Sequence, residues 1–182
     1  MSNKICKWFI IFTICFSFAQ SYALEDKALN TTIQSKAHKP PILTTAAIIE
    51  IYKDKEFLGI VLIERGKAPW GKALPGGKVE YGETVENAIR REMMEEVNLE
   101  LFDLQQFHVY SDPKRDFRHH SVEVTYLAKA YQKPKAGDDA AEAWITKISD
   151  IPWDKMAFDH ALILQNYLDY KKGQFEDKIL IR

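Results

Sequence analysis

Cysteine is almost absent from this chain. Of 182 residues only Cys6 and Cys15 are cysteines, and both lie close to the N-terminus. They cannot staple a domain further along, and no Cys/His spacing of the metal-binding kind occurs. A surplus of either charge is also missing: 25 Lys and Arg stand against 26 Asp and Glu, a formal net charge of −1. Such a balance gives no reason to expect nucleic acid or an anionic membrane as the main partner. There is no internal repeat, and no apolar run reaches the about 20 residues that a transmembrane helix needs. What is left is a chain of ordinary apolar content, long enough for one globular domain plus a short extension.

The extension stands at the start. Lys4 and Lys7 precede an apolar run from Trp8 to Phe18, followed by Ala19-Gln20-Ser21-Tyr22-Ala23. A basic start, a short apolar run and a small-residue ending describe a secretory signal peptide cut after Ala23. Cleavage removes both cysteines, which suits an oxidising compartment. It leaves 23 basic against 26 acidic residues, a net charge of −3. The expectation is export to the periplasm or beyond the cell, with no stable membrane insertion once the leader is gone. An uncleaved anchor is the alternative, but the run falls short of about 20 residues even with its weakly polar members counted. The expected organisation is a leader (1–23), a flexible polar lead (24–41), a globular domain (42–172) and a tail (173–182).

Within the domain, Leu43 to Tyr52 is rich in Thr, Ala and Ile and predicts a strand. Asp54-Lys55 marks a turn, and Phe57 to Glu64 is a second strand. Leu74-Pro75-Gly76-Gly77 breaks the pattern before a short extended piece, Lys78 to Tyr81. Thr84 predicts a helix N-cap, with Glu86 in the first turn where the dipole favours acid. Val85, Ile89, Met93 and Val97 recur at i+4 as the buried seam of that helix. Leu101 to Tyr110 and Ser121 to Tyr131 alternate as strands, the second with Val122, Val124 and Tyr126 on one face. Ala143 to Thr146 is a further short strand. Phe158 to Tyr170 reads as an amphipathic helix with Ala161, Leu162, Leu164, Gln165 and Leu168 near helical spacing, ended by Gly173. This order of strands and helices predicts a layered α/β (α+β) domain.

Glu92, Glu95 and Glu96 crowd three carboxylates into five positions. On a helix they are related by i+3 and i+4 and fan over roughly 100°. Like charges this close favour protonation unless a cation sits among them. Carboxylate oxygens are hard ligands that suit Mg²⁺ or Mn²⁺. The pattern therefore predicts a divalent-metal site at the edge of the core. A solvated Glu-rich helix face is the plainer alternative, but it leaves the upstream Gly76-Gly77 pair and Glu83 without a role.

The stretch from Gly77 to Leu99 resembles the signature of the Nudix hydrolases, Gly-x5-Glu-x7-Arg-Glu-U-x-Glu-Glu-x-Gly-U, where U is a bulky aliphatic residue. Gly77, Glu83, Arg91, Glu92, Met93, Glu95, Glu96 and Leu99 stand at its fixed positions. One position departs. Asn98 replaces the glycine that ends the helix in a left-handed conformation, and Asn is the next best residue for that task. The resemblance implies an α/β/α sandwich around a mixed β-sheet, and an enzyme that cleaves a pyrophosphate linking a nucleoside to another group. It implies Glu92 and Glu96 as the main metal ligands, Glu95 as a further ligand or a helper through water, and the Gly76 carbonyl as another ligand. Arg91 and Glu83 are implied as a structural ion pair.

Beyond the signature, Ser111 to His120 looks like the Ser-Asp-Pro-x-Arg-Asp-x-Arg-x-His stretch of the ADP-ribose pyrophosphatase group of that family, with Pro113 as the group's proline. Arg115 and Arg118, together with Arg65 after the second strand, are the expected phosphate contacts. The stretch from Gly137 to Trp144 resembles the group's late acidic loop. Glu142, then Asp139 and Asp138, is the expected general base or added ligand; an ordinary Asp-capped turn is the alternative. Trp144 is expected in the core, Trp70 as a base contact in the loop 66–71, and His160 as a helix-start residue bonded locally. The implied reaction is metal-dependent hydrolysis of ADP-ribose to AMP and ribose 5-phosphate. NADH or a dinucleoside polyphosphate are alternative substrates, and a non-catalytic ADP-ribose-binding module is an alternative of a different kind. About a dozen residues follow the last helix, too few for the DNA-binding domain that regulators of the group carry there. Homodimer formation is a further expectation from the family.

Overall fold

The computed structural model describes residues 39–137 and 140–175. The chain divides into two compact units, Met1–Pro40 and Pro41–Arg182. Of the first, only Lys39 and Pro40 are described, and both are exposed. The expected leader lies outside the described residues, as do Asp138, Asp139 and most of the tail.

Among the described residues of the second unit, seven strands build one mixed sheet. They are β1 (Ile42–Lys53), β2 (Glu56–Arg65), β3 (Lys72–Ala73), β4 (Gly76–Lys78), β5 (Phe102–Tyr110), β6 (Ser121–Ala130) and β7 (Ala140–Thr146). Helices α1 (Val85–Val97) and α2 (His160–Lys171) flank it. The sheet turns on β1. One edge runs parallel to β6, from Ile42 against Ser121 to Ile51 against Ala130. The other edge changes partner: Thr44–Ala46 pairs with β4, and Glu50–Lys53 pairs with β2, both antiparallel. Asp54 and Lys55 join β1 to β2 with φ of 51° and 72°, the paired positive values that match a two-residue hairpin to the twist of its strands.

Side chains alternate across the sheet with period two. Ala47, Ile49 and Ile51 pack with Ile89, Met93 and Val97 of α1, whereas Ala46 and Ile48 pack with Ile163, Leu164 and Tyr167 of α2. Each large apolar side chain so buried contributes about 1.5–3 kcal/mol of transfer free energy. The sheet, rather than intrinsic propensity, therefore holds the two short helices. The expected α/β/α layering and the Ile89-Met93-Val97 seam are both present.

Two elements depart from expectation. Helix α2 begins at His160 because Phe158 has φ of 55° and cannot continue a right-handed helix. Its buried face is His160, Ile163, Leu164 and Tyr167, while Leu162 is 54% exposed. In β6, Val124 and Tyr126 face α1 with Ala128 and Ala130, but the strand also buries polar Ser121, Glu123 and Thr125. Among the described residues no helix is long and apolar enough to cross a membrane.

Candidate active site

Helix α1 is placed by its two ends. Thr84 is extended, and its hydroxyl accepts the Asn87 N–H at 3.2 Å. Asn98 ends the helix with φ 51° and ψ 48°, and its N–H and that of Leu99 return to the Met93 carbonyl. The next carbonyls are taken by the segment between β6 and β7: Gly137 N–H donates to Glu96 at 2.9 Å and Lys135 N–H to Val97 at 3.0 Å. A Cβ on Gly137 would overlap the Glu95 carbonyl, so this approach requires glycine.

The acids meet the glycine pair directly. Glu96 is buried, and its carboxylate accepts the Gly76 N–H at 2.8 Å. Glu92 lies so near Gly77 that a Cβ there would overlap its carboxylate. Arg91 binds the outer side of the same set. It donates to Glu83 at 2.7 and 3.3 Å, to Glu92 and Glu95 at 3.0 Å each, and to the Lys78 carbonyl at 3.1 Å. The Arg91 hydrogen bond holds the Glu83 carboxyl below the usual carboxylate range. Glu83, then Glu92 and Glu95, raise the guanidinium in turn. The implied Arg91–Glu83 pair is therefore present, and Arg91 is the cation among the acids.

A cleft of about 350 Å³ is lined by Glu92, Glu96, Gly76 and Gly77 and also by Arg65, Lys67, Arg115 and Arg118. The arginines differ. Arg115 has a side chain only 3% exposed. It donates to both Asp159 oxygens at 2.7 and 3.0 Å and to Ser121 Oγ at 3.1 Å, and it pairs with Glu123 at 3.1 Å. The Arg115 fork holds Asp159, so Arg115 neutralises Asp159 and the buried Glu123 in the wall of the cleft. Burial pushes the Glu123 carboxyl up, but His160 and Arg115 outweigh it and keep it below the ordinary value. His160 starts its helix and donates its backbone N–H to the Ala157 carbonyl at 3.3 Å, but its ring bonds at long range. Its Nδ1 accepts the Leu74 N–H at 2.9 Å, 86 residues away in sequence. That places the proton of the neutral ring on Nε2, which lies 3.7 Å from Glu123.

Arg118 forks Asp116 at 3.0 and 2.8 Å and donates to the Ala68 carbonyl at 3.0 Å. Burial raises the Asp116 carboxyl, yet the Arg118 contacts hold it below its usual range. Arg65 Nε donates to the Pro69 carbonyl at 2.6 Å. Both guanidiniums lie over the Phe158 ring, at 4.7 Å for Arg65 and 5.4 Å for Arg118.

Other expected site residues lie elsewhere. The Glu95 side chain is 56% exposed, bound to Arg91, and does not line the cleft. Glu142 is exposed in β7 opposite Glu64 and does not line it either. It stands two residues from Trp144, which packs on the α2 side, so strand alternation directs it away from α1. Trp144 is partly buried, with the Lys72 ammonium 4.7 Å from its ring centre. Trp70 is 71% exposed. Among the described residues no three His, Cys, Asp or Glu side chains form a ready metal cluster; Arg91 draws Glu92 and Glu95 toward itself. Sequence reading missed Phe158, Asp159, Ser121 and Glu123. The one signal available for the last two was the polar alternation Ser121-x-Glu123-x-Thr125 in a strand.

A family model for the NUDIX domain matches residues 41–167. The chain is 40% identical over 136 residues to the ADP-ribose pyrophosphatase of Methanocaldococcus jannaschii, covering 73% of this chain and 76% of that protein. The protein belongs to the Nudix family. Its fold superimposes on the NUDIX domain of Shewanella oneidensis NrtR complexed with ADP ribose, with a TM-score of 0.67 and 25% identity over 75% of this chain and 92% of that one. The bifunctional NMN adenylyltransferase/ADP ribose pyrophosphatase of Francisella tularensis, complexed with AMP and a Mn ion, gives a TM-score of 0.63 at 25% identity, covering 83% of this chain and 47% of that one. Nudix hydrolases generally use divalent metal ions. The donors here fit such an ion, because Glu92 and Glu96 offer hard carboxylate oxygens beside the glycine backbone of the cleft.

Proposed function

We propose that the protein hydrolyses ADP-ribose to AMP and ribose 5-phosphate, with Mg²⁺ or Mn²⁺ as cofactor. The observation that carries this reading is one cleft whose lining brings Glu92 and Glu96 together with the guanidiniums of Arg65 and Arg118. The likeness to the M. jannaschii pyrophosphatase and to a NUDIX domain that holds ADP ribose supports the substrate. The Mn ion and AMP of the F. tularensis enzyme support the cofactor and one product.

A diphosphate repels nucleophiles, and a bound divalent ion neutralises its oxygens and lowers the pKa of water. Glu92 and Glu96 would hold that ion, with the Gly76 carbonyl and Glu95 as added ligands. Arg91 stabilises the acids while it keeps α1 against its loop through Glu83. Arg65 and Arg118 hold phosphate and so place the reacting bond near Glu92 and Glu96. A water oxygen joins one phosphorus, the bridging oxygen leaves with the other phosphate, and the water proton passes to a carboxylate.

The basic, apolar and small-residue pattern of residues 1–23 supports export, which directs the enzyme to nucleotides met outside the cytoplasm. N-terminal sequencing of the protein from its native host tests this; an intact Met1 in a cytosolic fraction overturns it. For the activity, a substrate panel is run with Mg²⁺ and Mn²⁺ and both products of each reaction are identified. Equal yields of AMP and ribose 5-phosphate from ADP-ribose are expected, and Glu96→Gln should lower turnover by about 10²-fold or more. Full turnover by Glu96→Gln would refute the metal assignment. Tight binding of ADP-ribose without cleavage would make the protein a sensor.

A further inference from the structure

Residues 157–159 are anchored on both sides. Ala157 N–H donates to the Lys72 carbonyl at 2.7 Å, and Asp159 is forked by Arg115. Between these anchors Phe158 takes φ of 55°, which a bulky aromatic residue rarely adopts and which costs conformational energy. Asp159 also stands at the N-cap of α2 but makes no capping bond, because its carboxylate serves Arg115. The segment thus gives up backbone comfort and a helix cap, and its side chains engage all three arginines that line the cleft.

The Phe158 ring lies beneath Arg65 and Arg118 together. Two guanidiniums near one point repel, and the electron-rich face of an aromatic ring attracts each of them. The carbonyls of Ala68 and Pro69, adjacent in one loop, bind one edge of each arginine, and Asp116 forks Arg118 from another side, so that the ring is one of several contacts that fix it. We infer that Phe158 is a positioning residue whose ring sets Arg65 and Arg118 as a double guanidinium site for the charged phosphates of the substrate. The choice of substrate rests on the pyrophosphatase reading, whereas the arrangement of the two arginines does not.

The test uses ¹⁵N-labelled protein without substrate, followed by steady-state kinetics on ADP-ribose. A ring this close shifts the Nε–Hε resonances of Arg65 and Arg118 upfield. Phe158→Leu should return both to ordinary positions and raise KM about tenfold, with kcat changed by no more than about twofold. Phe158→Tyr keeps the ring and should restore both readouts. Phe158→Gly, which tolerates positive φ, should match the Leu variant and covers the case in which Leu fails to fold. Arginine signals and KM that ignore Phe158→Leu, or Phe158→Gly if Leu fails to fold, overturn the inference. Signals that depend on the ring in a protein that does not cleave ADP-ribose would overturn the proposed substrate and leave the positioning role standing.

Discussion

Replacing Arg115 by Met removes the guanidinium that pairs with both Glu123 and Asp159 in the wall of the cleft. Its side chain is 3% exposed, and that of Glu123 is 8% exposed. Met fills much of the volume, so the loss is mainly electrostatic. Breaking a buried pair from one side leaves an uncompensated charge and costs about 3–5 kcal/mol. For a domain of this size that lowers Tm by roughly 6–20 °C. The effect has a defined pH dependence. In the wild type, burial, His160 and Arg115 leave the Glu123 carboxyl below its unfolded value. Its stabilisation is therefore complete above about pH 4.5 and is lost as pH falls through the folded value. Without Arg115 only the His160 contacts oppose burial, so the folded value rises from its wild-type position. The variant therefore loses stabilisation wherever Glu123 is ionised, and the loss fades as acid protonates Glu123. Thermal unfolding followed by circular dichroism from about pH 8 to about pH 3 should show the gap between the two proteins narrowing at the acid end. A gap below about 1 kcal/mol at the upper pH, or one that widens with acid, would refute the reasoning.

Gly77→Ala places a methyl group where the Glu92 carboxylate now lies. The fold should persist, Mn²⁺ affinity measured by calorimetry should weaken, and kcat should fall by at least about tenfold. Asn98→Gly puts the residue with least cost at a φ of 51°; Tm should rise, by an amount equivalent to about 0.5–1 kcal/mol, and activity should be unchanged. Asn98→Ala should lower Tm instead.

What could be read in advance follows the range of the forces. Thr84, the Ile89-Met93-Val97 seam, Asn98 and the Arg91–Glu83 pair act within one helix and its loop. Residue spacing reports the cap and the seam, the family resemblance implies the Asn98 end and the Arg91–Glu83 pair, and the structure contains them all. The parallel pairing of β1 with β6 joins segments far apart in the chain, and periodicity within either strand says nothing of the partner. The same distance hid the core of the cleft. Glu123 and Asp159 look like ordinary strand and cap residues until Arg115 is brought between them. Arg115 was expected at phosphate from its basic stretch and the family resemblance; it does line the cleft, but the two distant acids that engage it could not be read from that stretch. Glu142 was expected as general base or added ligand from the resemblance of its loop to the group's late acidic loop; in the structure it stands in β7 opposite Glu64 and does not line the cleft. His160 was expected as a locally bonded helix-start residue, and its N–H does bond Ala157; its ring's bond to Leu74 N–H was hidden because one sequence does not reveal that distant partner.

The pairing of Thr45 with Val124 has a developmental consequence. During synthesis, the acidic signature and its glycine loop emerge and can form their local bonds before Ser121 exists. The partners of Arg115 on β6 and ahead of α2 come later still. The signature carboxylates thus leave the ribosome before Arg115, Arg118 and Glu123, and the wall of the cleft closes only once β6 has paired with β1.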